Sequence, residues 1–215
     1  MLKLIDISVG SILNNLSLVV DRGKCVLIVG ENGAGKTTLF NTIAGIIKPD
    51  SGYVILNGRD ITNLPHYKRA VWISSVLQDP RAGTIGEMTI AENLYLASMR
   101  RNKCVKRSIT SFREKLSVLE MNLENRLQEK VKNLSGGQRQ ALSLVMATMT
   151  DYELLLLDEI TASLDPKNSH TIMRLVDKID RDEGKTCLMI THNTDYIESF
   201  RVNRLKLSNG KVEES

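Results

Sequence analysis

The sequence is poor in cysteine and in aromatic residues, and each shortage excludes a class of protein. Three cysteines, Cys25, Cys104 and Cys187, lie far apart in a chain of 215 residues. They offer neither a disulfide framework nor a cysteine-based metal motif, so we expect a reducing compartment. Aromatic residues make up 4% of the chain, which is too few for a surface that stacks nucleic-acid bases. We therefore expect no nucleic-acid partner.

Long apolar runs are also missing. The longest runs, such as Leu154–Leu157, fall far short of the ~18 residues that a membrane-spanning helix needs. The first eight residues lack the basic and apolar regions of a signal peptide. We expect that the chain does not cross a membrane by itself. The net charge of +4 is mild, and it neither requires nor excludes a polyanionic partner.

Short apolar runs alternate with segments of helical periodicity, which is typical of an α/β fold with a largely parallel sheet. The Asn209-Gly210 pair predicts a C-terminal hairpin, because this dipeptide suits the turn that matches strand twist. Antiparallel pairs at both ends of the chain indicate a mixed sheet. Strands are predicted at Leu2–Ile7, Leu16–Val20, Cys25–Val29, Tyr53–Leu56, Val71–Val76, Glu153–Leu157, Thr186–Thr191, Arg204–Leu207 and Lys211–Glu213.

One stretch, from about residue 79 to residue 150, lacks β-branched runs and is rich in Leu, Met, Lys, Arg and Glu. Thr89 and Glu92 have the spacing of a capping box that opens a helix. We interpret this stretch as a helical insertion in an α/β core. The length suits one domain over residues 1–215, in which residues 1–78 and 151–215 form the core with an antiparallel β subdomain, and residues 79–150 form a helical subdomain.

A glycine-rich segment between an apolar run and a helical pattern predicts a phosphate-binding loop. It has the form G-x-x-x-x-G-K-[ST] in the strand–loop–helix setting that this motif requires. Glycines let successive backbone N–H groups face phosphate oxygens, and the following helix adds its positive N-terminal end. We expect Lys36 to reach the β- and γ-phosphates and Thr37 to offer its hydroxyl to Mg²⁺. The loop comprises Gly30, Glu31, Asn32, Gly33, Ala34, Gly35, Lys36, Thr37 and Thr38.

Polar residues follow two of the predicted buried strands. Asp158 and Glu159 come directly after an apolar run, and ligands of parallel sheets bind at the carboxyl ends of the strands. We expect Asp158 to support Mg²⁺ directly or through water. We expect Glu159 to orient or deprotonate a water that attacks the γ-phosphate. His192 follows another predicted strand in the same way, which favours contact with the γ-phosphate.

A second loop opens a predicted helix inside the insertion. Ser135 and Gln138 have the spacing of a capping box, and Gly136 and Gly137 between them leave backbone amides exposed. From the residues alone, this loop is either a second anion-binding site or an ordinary helix start.

Beside the two nucleotide elements, Leu134-Ser135-Gly136-Gly137-Gln138 resembles the signature sequence of the ABC ATPases. The remaining motifs of that family are present in order over essentially the whole chain. Gly30–Thr38 resembles the Walker A loop, Gln78 the Q-loop glutamine, Leu154–Asp158 with Glu159 the Walker B strand and catalytic glutamate, Ser163-Leu164-Asp165 the D-loop, and His192 the switch histidine.

The resemblance implies a P-loop NTPase core and a Mg²⁺-dependent ATPase whose cofactors are ATP and Mg²⁺. It implies catalytic roles for Lys36, Gln78, Glu159 and His192, and metal binding by Thr37, Gln78 and Asp158. Nucleotide binding is implied for Gly30–Thr38 and, from the facing copy, for Ser135, Gly136, Gly137, Gln138 and Asp165. The partner would be a second copy in a head-to-tail dimer or a paralogous ATPase.

The resemblance also implies a subunit that powers solute transport from the cytoplasmic face of the cell membrane, bound to permease subunits. Residues 77–93 are similar to ATP-binding subunits of bacterial importers that work with a substrate-binding protein, some of them linked to amino acids. The alternative is a soluble ABC ATPase of the iron–sulfur assembly type. A binding-only regulatory module is disfavoured, because Glu159 and His192 are both present.

Three further features of the sequence bear on this function. Family members usually stack adenine on an aromatic ring upstream of Walker A, whereas no Phe, Tyr or Trp here precedes Phe40. Ile160 stands where a proline is common. A basic run is either a solvated turn or a contact for anionic lipid headgroups; its residues are Arg100, Arg101, Lys103, Lys106 and Arg107.

Overall fold

The structure is a computed structural model that describes residues 1–99, 108–149, 151–162, 164–183, 185–191 and 203–214. Its strands are β1 (Leu2–Val9), β2 (Leu13–Val20), β3 (Cys25–Val29), β4 (Ser51–Leu56), β5 (Arg59–Asp60), β6 (Ile73–Val76), β7 (Leu154–Asp158), β8 (Thr186–Ile190), β9 (Asn203–Ser208) and β10 (Lys211–Glu214). Its α-helices are α1 (Lys36–Ala44), α2 (His66–Arg69), α3 (Ile90–Ser98), α4 (Ile109–Ser117), α5 (Gly136–Ala147) and α6 (Pro166–Glu183).

The strands form two separate sheets. The first is antiparallel, with the order β2-β1-β4-β5. The second has the order β10-β9-β3-β8-β7-β6, and all of its pairs are parallel except the β9–β10 hairpin. The antiparallel pairs predicted from the two ends of the chain therefore belong to different sheets.

The central parallel strands β3, β7 and β8 are buried on both faces, which explains their uninterrupted apolar sequences. Side chains alternate between two hydrophobic clusters. Leu155 and Met189 pack toward α3, α4, α5 and α6, whereas Leu156 and Leu188 pack toward α1 and the antiparallel sheet. Since these strands run in parallel, their carboxyl ends meet at one edge of the sheet.

Most predicted elements are present, and their errors have local causes. β2 begins at Leu13 and not at Leu16, because an irregular register between β1 and β2 breaks the alternation of buried and exposed residues. β6 begins at Ile73 and not at Val71. The short elements β5 and α2 were not predicted, since two to four residues carry no periodicity. The predicted basic run lies outside the described residues.

The predicted capping box at the start of α3 is confirmed. The Thr89 backbone N–H donates to Glu92 Oε2 at 2.7 Å, and the Glu92 N–H donates to Thr89 Oγ1 at 3.2 Å. Cys25 and Cys187 are register partners on neighbouring strands, and both side chains are buried. Among the helices described, none combines the length and the apolar character needed to cross a membrane.

Candidate functional site

The predicted phosphate loop connects β3 to α1 and is shaped by glycines at two tight points. Gly35, with φ of 100°, precedes the helix. A Cβ at this position would lie 2.9 Å from Leu13 Cδ2. A Cβ at Gly30 would clash with the backbone carbonyl of Leu207 on β9. The loop is therefore packed between β2 and β9. A Cβ at Gly30 would force the backbone to shift, and a side chain at Gly35 would be strained by the positive φ.

The Lys36 side chain folds back over this loop. It is only 6% exposed, and its Nζ donates to the carbonyl oxygens of Gly30 at 2.7 Å and Glu31 at 2.8 Å. The ammonium group thus lies inside the curl of the loop, beside the N-terminal amides of α1. A buried positive charge at a helix N-terminus is an arrangement that favours anion binding.

Two carboxylates lie at the same edge of the sheet, at the end of β7. Asp158 is half-buried, and its pKa is raised by burial and by the neighbouring Glu159, while Lys36 acts in the opposite direction. Glu159 turns out of the strand with φ of 47°, and its backbone N–H donates to the Ile190 carbonyl at 2.9 Å. Because its backbone is left-handed, Glu159 does not continue the alternating side-chain directions of β7.

Gln78 joins this group because β6 lies beside β7, with Val76 paired to Leu157. Its Nε2 donates to Glu159 Oε2 at 3.1 Å. The structure therefore brings together four residues singled out from the sequence, Lys36, Gln78, Asp158 and Glu159.

The oxygen donors at this edge suit a hard divalent cation. The described residues contain no cluster of three or more His, Cys, Asp or Glu that could hold a metal alone. The Thr37 hydroxyl, the Gln78 amide oxygen and the Asp158 carboxylate are the donor types that Mg²⁺ prefers, with phosphate oxygens to complete the set. The raised pKa of Asp158 fits such a cation, which would offset the repulsion from Glu159.

Replacing Asp158 by Asn is expected to raise the melting temperature of the nucleotide-free chain by about 1–3 °C near neutral pH. Because the folded-state pKa of Asp158 is raised, its ionised form opposes folding, and this penalty disappears as the pH falls through the folded-state pKa. Thermal unfolding at neutral and acidic pH measures the difference, which should shrink in acid. A destabilised variant at neutral pH would contradict the assignment.

Asp60 provides a control of opposite sign. Its pKa is lowered by hydrogen bonds from the Thr62 hydroxyl and the Thr62 N–H. Asp60→Asn should therefore lower the melting temperature near neutral pH, and this loss should vanish as the pH falls through the lowered pKa.

The second loop begins α5 with the predicted capping box. The Gln138 N–H donates to Ser135 Oγ at 3.2 Å, and the Ser135 N–H donates to Gln138 Oε1 at 3.2 Å. Within the part of the chain that the structure describes, no atom lies within 4 Å of the position that a Cβ at Gly136 would take, so this face of the loop is open.

Asp165 lies close to this second loop through Asn168. Asp165 Oδ1 accepts the Asn168 N–H at 3.1 Å, and Asp165 Oδ2 accepts from the Asn168 side-chain amide. The same amide nitrogen lies 2.9 Å from the position that a Cβ at Gly137 would take. The start of α6 and the start of α5 are therefore in contact.

The two loops are not joined in the monomer. Across the described ranges, no hydrogen bond connects Ser135–Gln138 to Gly30–Thr38, and the capping residues bond to each other. Ser163 and His192 lie outside the described residues. The preceding residue, Thr191, is buried directly after β8.

Two residues not singled out from the sequence connect α5 to the segment around Gln78. Gln140 is buried, and its Nε2 donates to the Leu77 carbonyl at 3.1 Å. Arg139 Nε donates to Thr84 Oγ1 at 2.6 Å. Gln140 lies among apolar residues on the buried face of α5, and a polar residue in that position was the available sequence signal.

Arg69 was also missed. The side chain is buried and donates to four backbone carbonyls, those of Thr42, Ile43, Thr62 and Leu64, at 2.7–2.8 Å. Burial lowers its pKa. Two of the carbonyls belong to the last turn of α1, where the helix dipole favours a cation. Arg69 therefore fixes the end of the helix whose beginning forms the phosphate loop.

A family model described as ABC transporter matches residues 13–162. The chain belongs to the ABC transporter family. A tyrosine transport ATP-binding protein of Clostridioides difficile (strain R20291) is 42% identical over 207 residues, covering 94% of this chain and 82% of that protein. A thiamine import ATP-binding protein of Brucella suis is 32% identical over 208 residues, covering 95% and 83%.

The solved structures agree with this membership. A dimeric ATP-binding cassette in a post-hydrolysis state, bound to ADP and Pi, superposes with a TM-score of 0.82 at 28% identity, covering 99% of this ABC cassette and 97% of that chain. The resemblance and the predicted fold class are confirmed. ABC cassettes bind ATP and ADP, and ATP hydrolysis is the general activity of the family.

Proposed function

We propose that this chain binds ATP with Mg²⁺ and hydrolyses it to ADP and phosphate. The observation that supports the proposal is the edge of the parallel sheet, where Lys36 lies inside the glycine loop, near Asp158, and Gln78 contacts Glu159. No other cluster of the described residues combines an anion-binding helix start with carboxylates placed for hydrolysis.

Each group has a defined task in this reaction. The amides of Gly33–Thr38 bind phosphate oxygens, and Lys36 neutralises charge on the β- and γ-phosphates. Thr37, Gln78 and Asp158 would hold Mg²⁺, which would neutralise phosphate charge when bound. Glu159 orients the attacking water and accepts its proton, and Gln78 holds the carboxylate in place. We assign γ-phosphate contact to His192.

The Lys36→Ala variant tests this site. We expect the variant to bind ATP about 10- to 100-fold more weakly, because it loses charge-assisted hydrogen bonds to phosphate. Equilibrium titration with MgATP measures the effect. Lys24→Ala is the matched control, since Lys24 is exposed and precedes β3 at the opposite end of the strand. Near-normal affinity in Lys36→Ala would count against the site.

The second loop serves the site of another copy. Ser135, Gly136, Gly137 and Gln138, with Asp165 beside them, would close over the triphosphate held by the Gly30–Thr38 loop of the facing chain. The open face at Gly136 and the dimeric state of a matched cassette support this head-to-tail dimer. Two-fold symmetry gives two equivalent sites from one surface.

The work done by hydrolysis is solute transport. We place the chain at the cytoplasmic face of the cell membrane, bound to permease subunits through residues 79–150, in which α3, α4 and α5 share one hydrophobic cluster. The relative named for tyrosine transport and the relative named for thiamine import favour a bacterial importer of a small solute such as an amino acid, fed by a substrate-binding protein.

Purification of the tagged chain from detergent-solubilised membranes tests the transporter role. We expect an integral-membrane permease to co-purify, and the reconstituted complex to take up an amino acid only with ATP and a binding protein. Outward transport without a binding protein would refute the importer. A complex with iron–sulfur assembly proteins and no permease would favour the alternative function.

A further inference from the structure

Asn168, in the first turn of α6, binds both oxygens of the Asp165 carboxylate. Its backbone N–H donates to Asp165 Oδ1 at 3.1 Å, and its side-chain amide donates to Asp165 Oδ2. These two hydrogen bonds, the backbone one above all, lower the pKa of Asp165, so the group stays ionised near neutral pH. The exposed carboxylate is therefore held in one orientation by a single neighbouring residue.

The Asn168 side chain also packs on the second loop. A Cβ at Gly137 would lie 2.9 Å from Asn168 Nδ2, 3.1 Å from Asn168 Cγ and 3.2 Å from Asn168 Cβ. Gly137 is buried in the first turn of α5, and its φ is not positive. A side chain at Gly137 would therefore have to displace Asn168. The amide of Asn168 fills the space between Asp165 and the second loop.

Helix packing fixes Asn168 at this place. Ile172, one turn further along α6, is fully buried and belongs to the hydrophobic cluster that also contains Ala141 and Leu144 of α5. Because residues four apart lie on the same face of a helix, Asn168 continues the face of α6 that packs on α5. It lies at the end of this face, where both helices begin.

We propose that Asn168 is a positioning residue that holds Asp165 against the second loop, so that both meet the nucleotide of the facing copy in one fixed arrangement. This inference rests on the proposed function, which assigns Asp165 and the second loop to the facing site. An Asp165 side chain without this support would have to be ordered each time the dimer closes, and such ordering weakens association.

The Asn168→Ala variant of the full chain tests the inference. We expect its kcat for ATP hydrolysis to fall about tenfold, because Asp165 loses its placement at the facing site. In the Glu159→Gln background, the chain concentration that gives half-maximal MgATP-dependent dimerisation should rise about tenfold. ATP affinity of the dilute monomer should stay within about twofold, since the Gly30–Thr38 loop does not contain Asn168.

Two further variants separate this role from simple packing. Asn168→Asp keeps the size of the side chain, but it cannot donate to the ionised Asp165 and adds a repelling charge. We therefore expect it to be at least as impaired as Asn168→Ala. In an Asp165→Ala background, Asn168→Ala should lower kcat by less than about twofold further, because a residue that acts through Asp165 then has no carboxylate to hold.

Lys178→Ala, at an exposed position further along α6, is the matched control and should change none of these values. The melting temperature of Asn168→Ala should stay within about 4 °C of the unsubstituted chain. Unchanged dimerisation in Asn168→Ala, near-normal activity in Asn168→Asp, or additive losses in the double variant would overturn the inference alone. An unsubstituted chain that neither binds nor hydrolyses MgATP would overturn the proposed function with it.

Discussion

Glu159→Gln is expected to lower the steady-state ATPase rate by at least about 100-fold, the scale of a lost general base. ATP affinity should remain within about threefold of the original value, because the amide has nearly the same shape and phosphate binding depends on other residues. The amide cannot accept the proton of the attacking water. The amide oxygen of the variant can still accept a hydrogen bond from Gln78, whose Nε2 lies 3.1 Å from Glu159 Oε2 in the structure.

The same variant should accumulate as an ATP-bound dimer, since unhydrolysed ATP holds the two copies together. Phosphate release gives the rate, and light scattering with and without MgATP gives the mass. Glu153→Gln is the matched control, because Glu153 precedes β7 at its opposite end and bonds to Asn57 and Arg59. Unchanged hydrolysis in Glu159→Gln would falsify the assigned role of the residue.

Arg69→Met is expected to lower the free energy of unfolding by about 3 kcal/mol or more. The substitution keeps much of the apolar volume but removes every donor, so four backbone carbonyls lose a charged hydrogen-bond donor. Arg69→Lys should be intermediate, because an ammonium group retains the charge without the planar fork. The loss should fall on α1 and on the phosphate loop at its start.

Urea unfolding measures this loss, and hydrogen exchange locates it. Arg59→Met is the matched control, since the Arg59 side chain is half exposed and pairs with Glu153 near the surface. That control should cost no more than about 1 kcal/mol. Equal losses in both variants, or slow exchange retained in the last turn of α1 of Arg69→Met, would show that the buried guanidinium does not hold the helix.

The features predicted from the sequence are those with a local signal. Strands β3, β7 and β8 are continuous apolar runs because helices or a second sheet cover both of their faces. The glycine loop has fixed spacing because its backbone must curl within a few residues. The caps of α3 and α5 depend on side chains three residues apart.

The features that were missed depend on contacts between distant parts of the chain. Arg69 bonds to Thr42 across 27 positions, and Gln140 bonds to Leu77 across 63. Residues 66–69 form a polar, basic segment, and nothing in their sequence indicates that Arg69 is buried.

The left-handed backbone of Glu159 has a consequence for the stability of variants that have lost catalysis. A glutamate in this conformation costs about 1 kcal/mol that glycine or asparagine avoids to a large extent. Replacing Glu159 by either residue therefore removes most of this cost and raises the free energy of unfolding. A chain with glycine or asparagine at position 159 should therefore be more stable than the active protein while lacking the residue assigned to water activation.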